Sequence, residues 1–262
     1  MEKVQYVFVD SGIGGLPYLS YLRNKDKTAS AAYIADTKHF PYGTKTTEEL
    51  QKLAVNLTEK LIAKFQPEII IIACNTLSLA SLKTLREKFS LPFVGTVPAV
   101  KLAAETVCCN KILLIGSEKS VQDEYTKGLI EKFSSPERFI LKAEQSLIQK
   151  IENGLMFQST EIIENELQPI IDECVALGAD CLVLACTHFL IVEDYFKKLG
   201  RGKVKVIESL NGVIKQTLKL SPKLYRNDKS YFYTTSQVST KEADYYKKIC
   251  SYFHLQFAGQ MI

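Results

Sequence analysis

Two cysteines, Cys74 and Cys186, sit in the same local setting. Ile69-Ile70-Ile71-Ile72-Ala73-Cys74-Asn75-Thr76 ends one apolar run, and Leu182-Val183-Leu184-Ala185-Cys186-Thr187-His188 ends another. Each places Ala-Cys, and then a threonine, at the carboxyl end of a buried strand and the start of a helix. Ligands of open parallel sheets bind there, outside the strand ends. Free N–H groups and the helix dipole at such a point favour a thiolate. Two equivalent thiols from two facing domains would approach a small ligand from opposite sides. A lone cysteine reads first as a small buried hydrophobe, and the duplicated context lifts these two above that reading. Cys108, Cys109, Cys174, Cys181 and Cys250 lack that context and keep it.

Other segments carry polar groups to strand ends. Asp10-Ser11-Gly12-Ile13-Gly14-Gly15 is a glycine-rich turn that matches neither phosphate-loop pattern. Its Asp10 would repel a phosphate, but could hold an ammonium or orient a thiol, or simply cap the turn. In the segment Asp36-Thr37-Lys38-His39-Phe40-Pro41-Tyr42-Gly43-Thr44-Lys45, the Pro-Tyr-Gly step suggests a shaped turn whose backbone amides could bind a carboxylate. His188, two residues after Cys186, could act as its proton partner or as a structural histidine.

The chain that positions these groups has 262 residues, 46% hydrophobic and 24% charged. That is enough for one large core or two modest ones, and it excludes fibrous, disordered and disulfide-scaffold classes. Lys+Arg minus Asp+Glu is 33 − 29 = +4, so no polyelectrolyte character points to nucleic acid or membrane. No stretch approaches the roughly 20 apolar residues of a membrane helix. The N-terminal run is too short for a secretory leader, so a cytoplasmic chain is expected. Seven cysteines without a C-x-x-C, and three histidines, argue against disulfides and a metal site. Residues 197–229 carry ten Lys/Arg against Glu208 and Asp228, but no aromatic platform accompanies them. A solvated basic face is the better reading.

Apolar runs alternate with amphipathic segments, which predicts an α/β protein with mainly parallel sheets. Strands are predicted at 4–9, 32–35, 69–73, 92–95, 111–116, 138–142, 181–185, 203–207 and 231–234. A helix over 47–65 follows the 3.6-residue period, and Thr46 with Glu49 reads as a capping box. A second helix over 160–177 should stop at Gly178, and Pro169 predicts a kink or break in it. The turns after the opening strands, Asp10–Gly15 and Gly116-Ser117-Glu118-Lys119-Ser120, strengthen the internal repeat. Two similar, pseudo-symmetric α/β domains follow, 1–96 plus 209–262 and 97–208, with a site expected in the cleft between them.

Taken together, these pieces resemble the glutamate racemases, within the wider aspartate/glutamate racemase superfamily. The matching segments are Asp10–Leu16, Asp36-Thr37 with Pro41-Tyr42-Gly43-Thr44-Lys45, Ala73-Cys74-Asn75-Thr76 and Cys186-Thr187-His188, in family order across about residues 4–210. Ile151-Glu152-Asn153-Gly154 resembles a Glu-containing segment of the second domain. There are departures at Val97, Ser117, Ser120, Phe189-Leu190 and Glu208, none at the thiols. The resemblance implies cofactor-independent conversion of L-glutamate to D-glutamate for peptidoglycan. Cys74 would serve the D-side and Cys186 the L-side, with Asp10 and His188 assisting and Asp36 and Glu152 in lesser roles. Asp10, Ser11, Pro41, Tyr42, Gly43, Asn75, Thr76, Thr187 and His188 match substrate-binding positions. A homodimer is expected by the same resemblance. An aspartate or hydantoin racemase, or a two-domain binding protein with silent cysteines, stands as the alternative.

Overall fold

A computed structural model describes residues 3–221 and 228–261. Its strands, in chain order, are β1 Tyr6–Asp10, β2 Ala31–Ala35, β3 Ile69–Ile72, β4 Phe93–Gly95, β5 Ile112–Gly116, β6 Phe139–Ala143, β7 Cys181–Leu184, β8 Lys205–Ile207, β9 Ser230–Thr234 and β10 Gln256–Gln260. Every pairing between them is parallel. The chain forms two compact units, Met1–Thr96 with Leu210–Ile262, and Val97–Ser209.

The first unit holds a six-stranded sheet in the order β10-β9-β2-β1-β3-β4. β1, β2 and β3 are buried along their whole length. This is why they read as unbroken apolar runs rather than alternating ones: helices cover both faces of such a sheet. One cover is the helix Thr47–Phe65. Its capping box is present, with Thr46 accepting from the Glu49 backbone and Glu49 accepting from the Thr46 backbone. Leu50, Ala54, Leu57 and Leu61 then meet Val7, Val9, Ile70 and Ile72 in one core.

The second unit holds four strands in the order β6-β5-β7-β8. Its core joins Ile112, Leu114, Cys181 and Val183 to Val100 and Ala103. In both units the first strand is central, the second lies on one side of it, and the third and fourth lie on the other. Strand order therefore reverses at β1/β3 and again at β5/β7. At such a point the connections leave the sheet in opposite directions and open a crevice at the carboxyl ends.

Three expectations change. The helix Thr160–Ala176 runs unbroken through Pro169. Ile163, Leu167, Ile170, Ile171 and Cys174 bury one face of it, and Gly178 at φ +67° takes the chain away at its end. Packing of that stripe outweighs the lost N–H of the exposed Pro169. The strand expected over 203–207 begins at Lys205, because Gly200 accepts from the Lys203 and Val204 backbones and keeps that stretch in a turn. Last, β10 has no counterpart in the sequence pattern. It is an edge strand, half exposed, with an irregularity between Phe257 and Gly259, so it lacks the apolar run that marks the central strands. Replacing Pro169 by Ala restores a helix donor at an exposed position and should stabilise the chain, by up to about 3 kcal/mol. A urea-unfolding midpoint that falls in Pro169→Ala would contradict this account of the helix.

Candidate active site

In the first unit, the crevice between β1 and β3 gathers Asp10, Ser11 and Cys74. Asp10 is the last residue of β1 and is fully buried. Its carboxylate accepts from the Gly12 backbone at 3.0 Å and from the Ser11 hydroxyl at 3.2 Å. The turn is clamped from the neighbouring strand: Tyr33 donates to the Gly12 carbonyl at 2.8 Å and accepts from the Gly15 amide at 3.0 Å. Gly15 must lack a side chain. A Cβ there would lie 2.6 Å from the Ala73 Cβ and 3.1 Å from an Asp10 carboxylate oxygen. The turn thus presses against both Asp10 and the residue preceding Cys74.

Cys74 is the N-cap of the helix Asn75–Lys88 and is buried with Asn75 and Thr76. Beside it, Asp36 anchors a second cluster. Its buried carboxylate accepts from the Tyr42 hydroxyl at 2.8 Å and the Thr235 hydroxyl at 2.6 Å, and pairs with His39 Nδ1 at 2.9 Å. Tyr42 is fully buried. Burial first, then the Asp36 carboxylate, and further the charges at Cys74 and Asp10, hold its phenol well above the ordinary value, so it remains a donor. Pro41 and Gly43 flank it, half-buried, on a 3₁₀ turn.

In the second unit, Cys186, His188 and Glu152 form a chain of contacts. The Cys186 Sγ lies 3.7 Å from His188 Nδ1, and His188 Nε2 lies 2.8 Å from a Glu152 carboxylate oxygen. Burial alone would lower the His188 pKa. Hydrogen bonds to Cys186 and Glu152, and the charges on both, outweigh burial and raise it well above the ordinary histidine value. Glu152 ends the helix Gln145–Glu152, and the turn that aims it passes through Gly154 at φ +95°. Cys186 caps a six-residue 3₁₀ helix, Thr187–Val192.

The backbone ladders align the two units residue by residue. Asp36 N bonds to Asp10 O, and Glu144 N to Gly116 O; Ala73 N bonds to Val9 O, and Ala185 N to Ile115 O. Cys74 and Cys186 are thus equivalent, as are Ser11 and Ser117. Asp10 and His188 have no such counterparts, since Asp10 corresponds to Gly116 and His188 to Thr76. Sequence reasoning missed Tyr33, which looks like an ordinary core tyrosine, and Thr235, which the returning strand β9 carries to Asp36 from 199 residues away. The remaining cysteines behave differently. Burial pushes Cys174 up to about 11 and Cys250 up to about 12, and it raises Cys109 and Cys181 as well. Thiols held this way are poor nucleophiles and bases. Cys108 is exposed. In the basic segment, Lys197 pairs with Glu193 and Lys198 with Glu164, while Lys223 and Arg226 lie outside the described residues. No helix among the described residues is long and apolar enough to cross a membrane.

The pattern of the Asp/Glu/hydantoin racemase family matches residues 19–217. Among relatives, the glutamate racemase of Treponema pallidum is 34% identical over 259 residues, covering 98% of this chain and 97% of its own. That of Brucella anthropi is 31% identical over 262 residues, with 98% and 94% covered. Among solved structures, glutamate racemase from Escherichia coli, crystallised with L-glutamate and the activator UDP-MurNAc-Ala, shares the fold with a TM-score of 0.87 at 24% identity, covering 98% of each chain. The Bacillus anthracis enzyme has a TM-score of 0.78 at 25% identity, covering 100% of this chain and 98% of its own. The chain belongs to the Asp/Glu/hydantoin racemase family and is an enzyme of the glutamate racemase type within it.

The His188–Glu152 contact makes stability depend on pH. A histidine whose pKa rises on folding contributes its full stabilisation below its unfolded value of about 6.5, and loses it as pH climbs through the higher folded value. Glu152→Gln removes part of that rise. The urea midpoint of Glu152→Gln should fall furthest below wild type near pH 6, and the gap should narrow in alkaline buffer. A gap that widens with pH would refute the charged pairing.

Proposed function

We propose that this chain interconverts L- and D-glutamate with two thiols and no cofactor. The observation that carries the proposal is the recurrence of a cysteine at the same point of the reversed strand order in both units, each with its own polar assistants. In the L-to-D direction, a Cys186 thiolate takes the Cα proton and becomes a thiol. The electron pair moves into the carboxylate-conjugated, carbanion-like state. The Cys74 thiol then donates its proton to the other face and becomes a thiolate. Release of D-glutamate leaves the mirror-image protonation state, which runs D to L or is reset by exchange with water.

An α-proton on an amino-acid zwitterion is far less acidic than a thiol of reference pKa about 8.5. The site must therefore stabilise the negative charge that develops, through fixed donors in a dry cleft. Ser11, Asn75, Thr76 and Thr187 are buried candidates for that role, and Pro41, Tyr42 and Gly43 complete the substrate loop. Asp10 would meet the ammonium or serve Cys74. The raised His188 supplies the counter-charge that a thiolate at Cys186 needs, with Glu152 behind it and Asp36 ordering Tyr42. By the family's role, the D-glutamate would supply peptidoglycan synthesis in the cytoplasm, with the enzyme as a homodimer.

Replacing Cys74 or Cys186 with Ala should abolish racemisation in both directions, by at least the roughly 10²–10⁴-fold of a lost acid or base. Each direction needs one of each. Ala at Cys108 or Cys250 should leave the rate near wild type. Circular dichroism of L-glutamate incubated with the protein follows this directly. Racemisation persisting in Cys186→Ala above about a hundredth of wild type would count against the assignment.

A further inference from the structure

We infer that Thr235 is a positioning residue for the substrate loop, acting through Asp36; the inference rests on the reading of Tyr42 and Gly43 as substrate-binding. The Thr235 hydroxyl donates to Asp36 Oδ1 at 2.6 Å and accepts from the Lys38 amide at 3.1 Å. It therefore ties the Asp36 carboxylate to the backbone that leaves it. Its neighbour repeats the device: the Ser236 amide donates to the Thr37 hydroxyl at 3.1 Å, and the two hydroxyls lie 2.6 Å apart. Sheet pairing sets the position of both. Thr234 lies opposite Ala35 in the β2–β9 register, and the Thr235 amide continues that ladder to the Ala35 carbonyl at 3.1 Å.

Three side chains compete to orient the Asp36 carboxylate, and they differ in rigidity. His39 belongs to the same short turn, and its side chain is 39% exposed against 2% for Asp36. It borders a cavity of about 600 Å³ that also reaches Thr235. Tyr42 is the group being positioned, on the other carboxylate oxygen. Only Thr235 approaches from the frame of the sheet. Without its hydroxyl, Oδ1 keeps the exposed imidazole alone, the carboxylate can turn, and the Tyr42 phenol loses its fixed acceptor. The loop would remain folded, yet present Tyr42 and Gly43 to substrate in a spread of positions. The returning segment 210–262 thus takes part in substrate binding through one hydroxyl, beyond closing the sheet.

The test is steady-state kinetics in both directions for Thr235→Val, Thr235→Ser and Ser236→Ala, with thermal midpoints as control. A hydrogen bond to a charged group predicts a loss of about ten- to a hundredfold in kcat/KM for Thr235→Val, carried mainly by KM. Thr235→Ser, which keeps the hydroxyl, should restore most of it, and Ser236→Ala should lose less. Thr235→Ala gives the same reading should the valine variant not fold. A folded Thr235→Val with wild-type KM overturns the inference. So does failure of Thr235→Ser to rescue, which would show packing of the methyl group instead. The proposed activity is tested separately, by the cysteine variants. Were wild type inactive on glutamate, calorimetric titration with glutamate would apply the same comparison to Kd, and equal Kd values for wild type and Thr235→Val would overturn the inference.

Discussion

A parallel sheet whose first strand is central forces the chain to leave that strand in both directions, and Asp10, Cys74, Ser117 and Cys186 lie at this reversal. At β1/β3 it leaves space above the strand ends, where Asp10 ends one strand and Cys74 follows the other. At β5/β7 it does the same for Ser117 and Cys186. The crevice comes from the backbone, before any side chain is chosen. Its depth is kept by Gly15, where even a methyl group would collide with Ala73 and crowd Asp10. Tyr33 holds the turn over that glycine from the next strand.

On this symmetric frame the side chains are asymmetric. Cys74 has a helix start and an aspartate at the neighbouring strand end, whereas Cys186 has a 3₁₀ turn and a buried histidine backed by a glutamate. In the second arrangement the pull of Cys186 and Glu152 on His188 exceeds the cost of burial and raises its pKa well above the ordinary histidine value. In the proposed reaction both arrangements would address one difficulty, a weak base set against a weaker carbon acid. A pair of thiols with unlike neighbours would suit the proposed reaction, whose two directions begin from enantiomers of the same molecule.

Much of this was legible in the sequence, and the rest was not, for definable reasons. β3 and β7 could be read because strands covered on both faces must be apolar throughout, so the residue that ends each run, Cys74 or Cys186, stands out. The capping box at Thr46 and Glu49 could be read because both partners are local. Thr235 could not, because its partner Asp36 is a neighbour only through the pairing of β2 with β9, and strand order is not a local property. β10 escaped because an edge strand needs no continuous apolar run. At Pro169 the break that the local rule allows is absent, because the buried stripe from Ile163 to Cys174 holds the helix together.

The central claim is that one thiol removes the Cα proton and a different thiol supplies its replacement. In deuterated water the donor thiol is already deuterated when substrate binds, while the base receives protium from the substrate. A thiol carries a single exchangeable proton, unlike an ammonium with three. Mass spectrometry of the separated enantiomers at low conversion of L-glutamate in D₂O reads this directly. The account predicts D-glutamate deuterated at Cα and recovered L-glutamate still protiated. Substantial deuterium in the recovered L-glutamate, before the reverse reaction contributes, would contradict it.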